Sequence, residues 1–287
     1  MRKQTRSRST RERLPDPRHP DEGFRRWRLT LAYDGGSFSG WQFQGNGRSV
    51  QEHLERALQR ICQSERRLPV HAAGRTDAGV HALAQVVHFD APAALSLDGA
   101  AWTRALNAGI PPQMRVLDAA EAEPGFHARY SAVGKHYRYR LCCGPILPPM
   151  EFGRAGHWRH PLDIEPMKAA ASHFVGKHDF SGFAAYRNDG TDQTPESGRN
   201  LRRVTRADVT AVDDGFEFDF EGAGFLYKMV RMMVGALIHA GAGRLAPDEI
   251  KDILACRLDA TGRLRKSPLC APAGGLYLVE VRYEGGP

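Results

Sequence analysis

A chain of 287 residues has room for two compact units or one large one, and its 41% hydrophobic, 25% charged and 9% aromatic make-up excludes wholesale disorder, collagen and coiled coil. The formal charge of +7 is concentrated at one end: residues 1–28 hold ten basic and four acidic residues, the remainder 30 against 29, so net charge alone points only weakly to nucleic acid. Five cysteines without a C-x-x-C pair suggest neither a disulfide framework nor a four-ligand zinc site, and they fit a reducing, cytoplasmic setting.

Residues 1–23 read as a solvated basic arm, because they offer little apolar surface to offset the entropy of ordering. They lack the apolar stretch of a secretory signal, and no apolar run in the chain is long enough to span a bilayer, since Lys228, Arg231 and His239 interrupt the most hydrophobic one. Trp27, Leu29, Leu31 and Tyr33 alternate with polar or small residues, the period of a half-buried strand that stops at Asp34-Gly35-Gly36. Ser49-Val50-Gln51-Glu52 has the form of a capping box, and Val50, Leu54, Ala57, Leu58 and Ile61 then share a helical face. A strand over 84–89, a helix capped by Ser96 and reaching Asn107, and a short strand over 114–117 complete a first round.

A second round follows: a strand over 135–143, a helix from Asp163 to Val175, strands over 207–212 and 216–220, a helix from Leu226 to Ala240, a short helix opened by Pro247, and a last strand over 276–283. Phe216, Phe218 and Phe220 alternate with Glu217, Asp219 and Glu221, which gives that strand one apolar and one acidic face. The segment 187–200, rich in turn residues, reads as a loop. The pattern is α+β.

Between Val70 and the strand at 84–89, Gly74-Arg75-Thr76-Asp77-Ala78-Gly79-Val80-His81 presents a carboxylate and a guanidinium on a glycine-bracketed loop. The simpler reading of this fragment alone is a stabilised turn with a surface ion pair. The stretch from His127 to Arg140 interleaves Arg129, Lys135, Arg138 and Arg140 with Tyr130, Tyr137 and Tyr139 and contains no acid, so it offers phosphate contacts and flat rings for unpaired bases. An edge strand with its cations outward explains it equally well. Arg199, Arg202, Arg203 and Arg206, and the helix with Lys228 and Arg231, would add phosphate contacts if they face the same cleft as Asp77. No metal motif, P-loop, dinucleotide fingerprint or nucleophile elbow is found.

The chain resembles the TruA family of tRNA pseudouridine synthases. The residues that carry the resemblance are Tyr33-Asp34-Gly35-Gly36-Ser37-Phe38 with Gly40-Trp41-Gln42, Arg48-Ser49-Val50-Gln51, Ala73 to His81, and Phe126-His127-Ala128-Arg129. Lys135-His136-Tyr137-Arg138-Tyr139, Gly224-Phe225-Leu226-Tyr227 with Met229-Val230-Arg231, and Gly275 to Val279 continue it in order. The resemblance implies two RRM-like or ferredoxin-like α+β halves, 24–125 and 126–287, sharing a continuous antiparallel sheet flanked by helices, with a catalytic cleft between them. It further implies a homodimer that binds tRNA across both subunits, isomerises uridine to pseudouridine in the anticodon stem-loop, and needs no cofactor, metal or cosubstrate.

The catalytic aspartate of the family falls on Asp77, its basic neighbour on Arg75 and the active-site tyrosine on Tyr137. Asp77 would attack ribose or uracil, or start glycal formation by deprotonation; Arg75 would supply its counter-charge and fill the space left by the extruded base; Tyr137 would stack on the base and help remove the C5 proton. Tyr137, Arg129, His127, Lys135, Arg138, Lys228 and Arg231 are the expected substrate contacts. The arm, the 187–200 loop and Lys228 depart from the family pattern, and the arm is expected to add salt-sensitive RNA affinity. A noncatalytic RNA-binding or folding factor, and a synthase acting on another RNA, are the alternatives; a degenerate binder would have little need of Asp77.

Overall fold

The computed structural model describes residues 19–44, 48–185 and 200–285. Most of the basic arm, and the 187–200 loop except Asn200, therefore lie outside the described residues.

The first round of elements is β1 (Phe24–Tyr33), α1 (Val50–Ile61), β2 (His71–Ala72), β3 (His81–Pro92), α2 (Gly99–Gly109) and β4 (Met114–Glu121). In β1 the alternation holds, with Trp27, Leu29, Leu31 and Tyr33 all buried. The Ser49 side chain accepts from the Glu52 N–H and opens α1, which buries Val50, Leu54, Ala57 and Leu58 on one face. Asp98, and not Ser96, caps α2: its carboxylate accepts from the Ala101 N–H at 2.7 Å.

The second round is β5 (Ala132–Cys143), β6 (Gly156–Trp158), α3 (Ile164–Ser172), β7 (Gly176–Asp179), β8 (Leu201–Val212), β9 (Gly215–Gly222), α4 (Met229–Gly241), α5 (Glu249–Leu254) and β10 (Leu276–Tyr283). The helix expected from Leu226 begins three residues later, because Lys228 takes a left-handed backbone with φ +60°. The three strands absent from the sequence reading, β2, β6 and β7, span two to four residues each and are too short to display a period.

All ten strands join one sheet, whose main path runs β4-β1-β3-β10-β5-β9-β8-β7, with β2 paired to β3 and β6 to β5. Each round contains the split βαββαβ arrangement, since β4-β1-β3-β2 in the first repeats as β10-β5-β9-β8 in the second. The sheet is continuous, as expected, but mixed and not wholly antiparallel. Its two halves meet where β3 and β10 pair in parallel through only His81 with Tyr277 and Ala82 with Leu278. The directions of both strands are already set by antiparallel partners within each half.

Helices α1 and α2 pack on each other with α2 against β4, and α3 and α4 pack on each other with α3 against β8. Trp102 lies fully buried against Phe89 and Trp27, at ring separations of 5.3 and 5.8 Å. Phe174, Phe180 and Phe183 form the corresponding aromatic group of the second half.

One buried cation ties the start of the second half to the first. Arg26 on β1, 1% exposed, grips both oxygens of Asp90 on β3 at 2.8 and 2.9 Å, and its Nη1 donates to the carbonyls of Pro124 and Phe126. Replacing Asp90 by alanine strands a guanidinium in the interior, so the expected loss is about 2–4 kcal/mol in urea denaturation. An unchanged midpoint would show that the carboxylate does not hold Arg26 in place.

Candidate active site

Asp77 sits on the loop between β2 and β3, and that loop is held along its length. Ala73 N–H donates to the Val86 carbonyl, Gln85 Nε2 to the Gly74 carbonyl at 2.8 Å, and Val80 N–H to the Asp77 carbonyl. Thr76 is fixed twice: its hydroxyl shares a hydrogen bond with the Tyr33 hydroxyl at 2.9 Å, and its carbonyl accepts from Trp41 N–H at 3.0 Å. Burial pushes the Tyr33 phenol up to about 12.

Two glycines explain the pattern that follows β1. At Gly40, where φ is +93°, a Cβ would stand 2.9 Å from the Thr76 carbonyl oxygen and 3.0 Å from the Ala78 nitrogen. At Gly35 it would stand 2.0 Å from the Val80 carbonyl oxygen. The turn after β1 therefore serves as a close-fitting back wall for the Asp77 loop, which only glycine permits.

The Asp77 side chain is 21% exposed, and its Oδ2 accepts from Arg231 Nη1 at 2.9 Å. Arg231 lies in the first turn of α4, is 14% exposed, and is itself fixed: its Nε donates to the Ala271 carbonyl at 2.7 Å, and Ala271 N–H donates to its carbonyl. This is the counter-charge that the sequence reading gave to Arg75, whose side chain is exposed. A lone cation among Met229, Val230, Met232 and Met233 was the available signal. Oδ1 of Asp77 takes no hydrogen bond from any described residue, so one carboxylate oxygen is anchored and the other is unengaged.

Tyr137 projects from β5 toward this loop. Its ring is buried and meets Phe225 edge-on at 5.2 Å, and its hydroxyl lies 3.7 Å from the place a Cβ would occupy on Gly74. Burial first, then the neighbouring Tyr33 and Asp77, raise the Tyr137 pKa, so the phenol keeps its proton. Lys135, two residues earlier on the same face of β5, is also buried, with its Nζ 3.6 Å from the same point at Gly74.

Arg138 is not brought to the site. It lies on the opposite face of β5, where Asp219 (Nε–Oδ1 3.0 Å) and Glu217 (3.2 Å) neutralise it, together with His136 bonded to Asp219. The acidic face of β9 thus absorbs the cations of that side, Arg206 and Arg282 among them through Glu221. His127 is buried as the anchor of a turn: its Nδ1 accepts from the Arg129 and Tyr130 N–H groups at 3.1 and 3.3 Å. Its ring lies 4.6 Å from His88 and 5.7 Å from His71. The turn leaves Arg129 and Tyr130 exposed, Tyr130 by 71%. Lys228 is half-buried beside the start of α4, its Nζ 5.1 Å from the Tyr227 ring centre. No helix among the described residues is long and apolar enough to cross a membrane.

Comparison with known proteins bears directly on this arrangement. The sequence pattern described as tRNA pseudouridine synthase matches residues 30–131 and 170–284. The chain is 42% identical over 262 residues to tRNA pseudouridine synthase A of Limosilactobacillus fermentum, covering 90% of this chain and 96% of that one. It is 40% identical over 260 residues to the protein of that name from Bacillus subtilis, covering 90% and 99%. With that from Neisseria gonorrhoeae the identity is 43% over 262 residues, covering 91% and 92%.

Burial first, then His71 and Arg26, lower the His127 pKa to about 4, while burial also lowers that of His71. A histidine whose folded pKa lies below its unfolded value stabilises fully above the unfolded value, and that stability is lost as pH falls through the folded one. The melting temperature should therefore fall between about pH 6.5 and 4. His127→Asn keeps an acceptor for the two N–H groups and removes the titration, so its melting temperature should fall less steeply; an equal slope would place the titration elsewhere.

Proposed function

The chain belongs to the tRNA pseudouridine synthase family, and on that premise we propose that it isomerises uridine to pseudouridine in the anticodon stem-loop of tRNA, with Asp77 as the nucleophile. The observation that carries this reading is the half-engaged carboxylate: Oδ2 held by Arg231, Oδ1 without a hydrogen bond from any described residue, on a rigid loop beside a buried tyrosine.

The chemistry asked of the protein is modest in kind. The N1–C1′ bond of the nucleotide breaks, a C5–C1′ bond forms, C5 loses a proton and N1 gains one, so no oxidant and no cosubstrate enters. Attack of Oδ1 on C1′ holds the ribose while the base turns, and return of C5 to C1′ releases the carboxylate. Arg231 bears on both steps, because it fixes the carboxylate's direction and supplies the counter-charge that a sheltered anion needs.

Tyr137, kept protonated by burial, suits hydrogen-bond donation to the turning base and closure of the pocket wall. It accepts the C5 proton only by passing on its own, and Asp77 is the nearby anion that acts on its pKa. Arg75, on the exposed side of the loop, is placed in this reading to occupy the space the everted nucleotide leaves in the RNA. The same reading carries a cytoplasmic homodimer that holds one tRNA across both copies; a monomer in light scattering at working concentration would remove that part.

Tritium release from C5-labelled uridine tests the proposal. Asp77→Ala should abolish release from an anticodon stem-loop while tRNA affinity stays within about tenfold, because phosphate contacts dominate binding. Normal turnover in that variant would refute the nucleophile, and release confined to other tRNA arms would refute the substrate site. Tyr137→Phe should lower kcat by about tenfold or more with KM little changed, as for loss of one positioned hydroxyl; an unaltered kcat would leave the tyrosine a packing role only.

A further inference from the structure

His81 opens β3 and belongs to one of the two residue pairs that join the halves of the sheet, standing opposite Tyr277. It is 3% exposed, and both ring nitrogens are engaged. Nδ1 accepts from the Gly35 N–H at 3.1 Å; a backbone N–H can only donate, so in this arrangement the ring proton sits on Nε2. Nε2 then donates to the Gly153 carbonyl at 2.9 Å. Gly35 lies in the turn that walls the Asp77 loop, and Gly153 lies between β5 and β6, so one imidazole bridges the two halves. The Tyr277 ring stacks on it, with 4.6 Å between centres and 17° between planes.

The groups around the bridge are held as well. Asp34, whose Oδ1 lies 3.2 Å from Nδ1, takes the Gly36 N–H on that oxygen at 3.0 Å and Arg154 on the other at 3.2 Å. The Tyr277 hydroxyl donates to the Arg154 carbonyl at 2.6 Å. Glu151, whose carbonyl accepts from the Arg154 N–H, pairs with Arg140 on β5 at 3.0 Å. The segment that carries Gly153 is therefore tied to the turn after β1, to β5 and to β10.

The stretch that meets His81 also receives Arg231. Between Ala271 and Tyr277 the chain makes a short turn over Ala273–Gly275. At one end of this stretch the Ala271 carbonyl accepts from Arg231 Nε at 2.7 Å, and at the other Tyr277 lies against His81. Between them, a Cβ on Gly79 would stand 3.2 Å from the Ala273 Cβ, and one on Gly274 2.6 Å from the Gly153 oxygen. Residues 77–81 and 271–277 thus lie side by side, joined at one end through Asp77 and Arg231 and at the other through His81. We infer that His81 is a positioning residue for the reaction, which fastens the joint between the halves and so sets the reach of Arg231 to Asp77. The inference rests on the proposed function and adds to it a residue that acts through the Asp77–Arg231 pair. A misplacement of about 1 Å at a reacting group can cost about a hundredfold in rate, so a loosened joint is felt in the chemistry before it is felt in binding.

The test uses the full chain and an anticodon stem-loop RNA, with His81→Asn and His81→Gln. The asparagine oxygen takes the place of Nδ1 and leaves Gly153 unreached, whereas the glutamine amide nitrogen takes the place of Nε2 and keeps the link across the joint. His81→Asn should lower single-turnover conversion at saturating RNA about tenfold or more while affinity stays within about threefold. His81→Gln should restore conversion to within about threefold of wild type. In an Arg231→Gln background, His81→Asn should cost less than about twofold further, because the pair through which it acts is already broken. A histidine that only stabilised the fold would lower the melting temperature, leave conversion well below that temperature unmoved, and lose the same amount in either background.

A second measurement needs no RNA. NMR of the free protein follows the Arg231 Nε–H that is held on Ala271, and its exchange with water should quicken about tenfold in His81→Asn and stay near wild type in His81→Gln. In the wild type the His81 ring should carry its proton on Nε2 at the pH of the assay. A proton on Nδ1 would break the bridge and overturn the inference without any variant. Undiminished conversion by His81→Asn, independent losses in the two backgrounds, or Arg231 exchange indifferent to His81 would overturn it too. Because exchange and tautomer are read on the free protein, they decide the role of His81 even if no uridine is converted; absence of conversion by the wild type would count against the proposed function alone.

Discussion

The candidate site depends on one ion pair that closes across 154 residues of chain, from Asp77 in the first half to Arg231 in the second. The two halves share a sheet, but β3 and β10 pair through only two residue pairs, so the backbone joint is short. Arg231 adds a side-chain link at that joint and fixes its other nitrogen on Ala271, just before the last strand begins. A carboxylate so placed cannot turn freely, and its other oxygen takes no hydrogen bond from any described residue. In the proposed reaction, the contact that fixes the carboxylate also supplies its counter-charge.

The strand β5 sorts charge by face. On one side His136, Arg138 and Arg140 meet acidic residues from β9 and neighbouring turns and are neutralised. On the other, Tyr137 and Tyr139 are buried and Lys135 makes no ion pair with any described residue. A period of two decides which cations meet the sheet's own acids and which do not.

Much of this was legible in the sequence. The alternation in β1, the Ser49 cap of α1 and the phenylalanine face of β9 each specify an element by a short-range rule, and each element forms where that rule placed it. The glycines after β1 signalled close approach, although nothing local said that the approaching group was the Asp77 loop. Asp77 and Tyr137 came from the resemblance and from no rule of local sequence. Arg231 as partner of Asp77, and Thr76 and Gln85 as supports of the loop, depend on contacts across the sheet that no window of sequence contains. Arg138 was offered as a substrate contact because its run of cations has no acid within it. The acids that neutralise it are about 80 residues away on β9, at separations of 81 residues for Asp219.

The central claim is that Asp77 and Arg231 work as one unit in the reaction, and a double-mutant cycle reaches it most directly. Single-turnover conversion of uridine in tRNA would be followed for wild type, Asp77→Asn, Arg231→Gln and the double variant. On this account Asp77→Asn removes conversion and Arg231→Gln lowers it steeply, while adding the second change to Asp77→Asn removes nothing further. Independent, multiplying losses, or measurable conversion by Asp77→Asn, would contradict it.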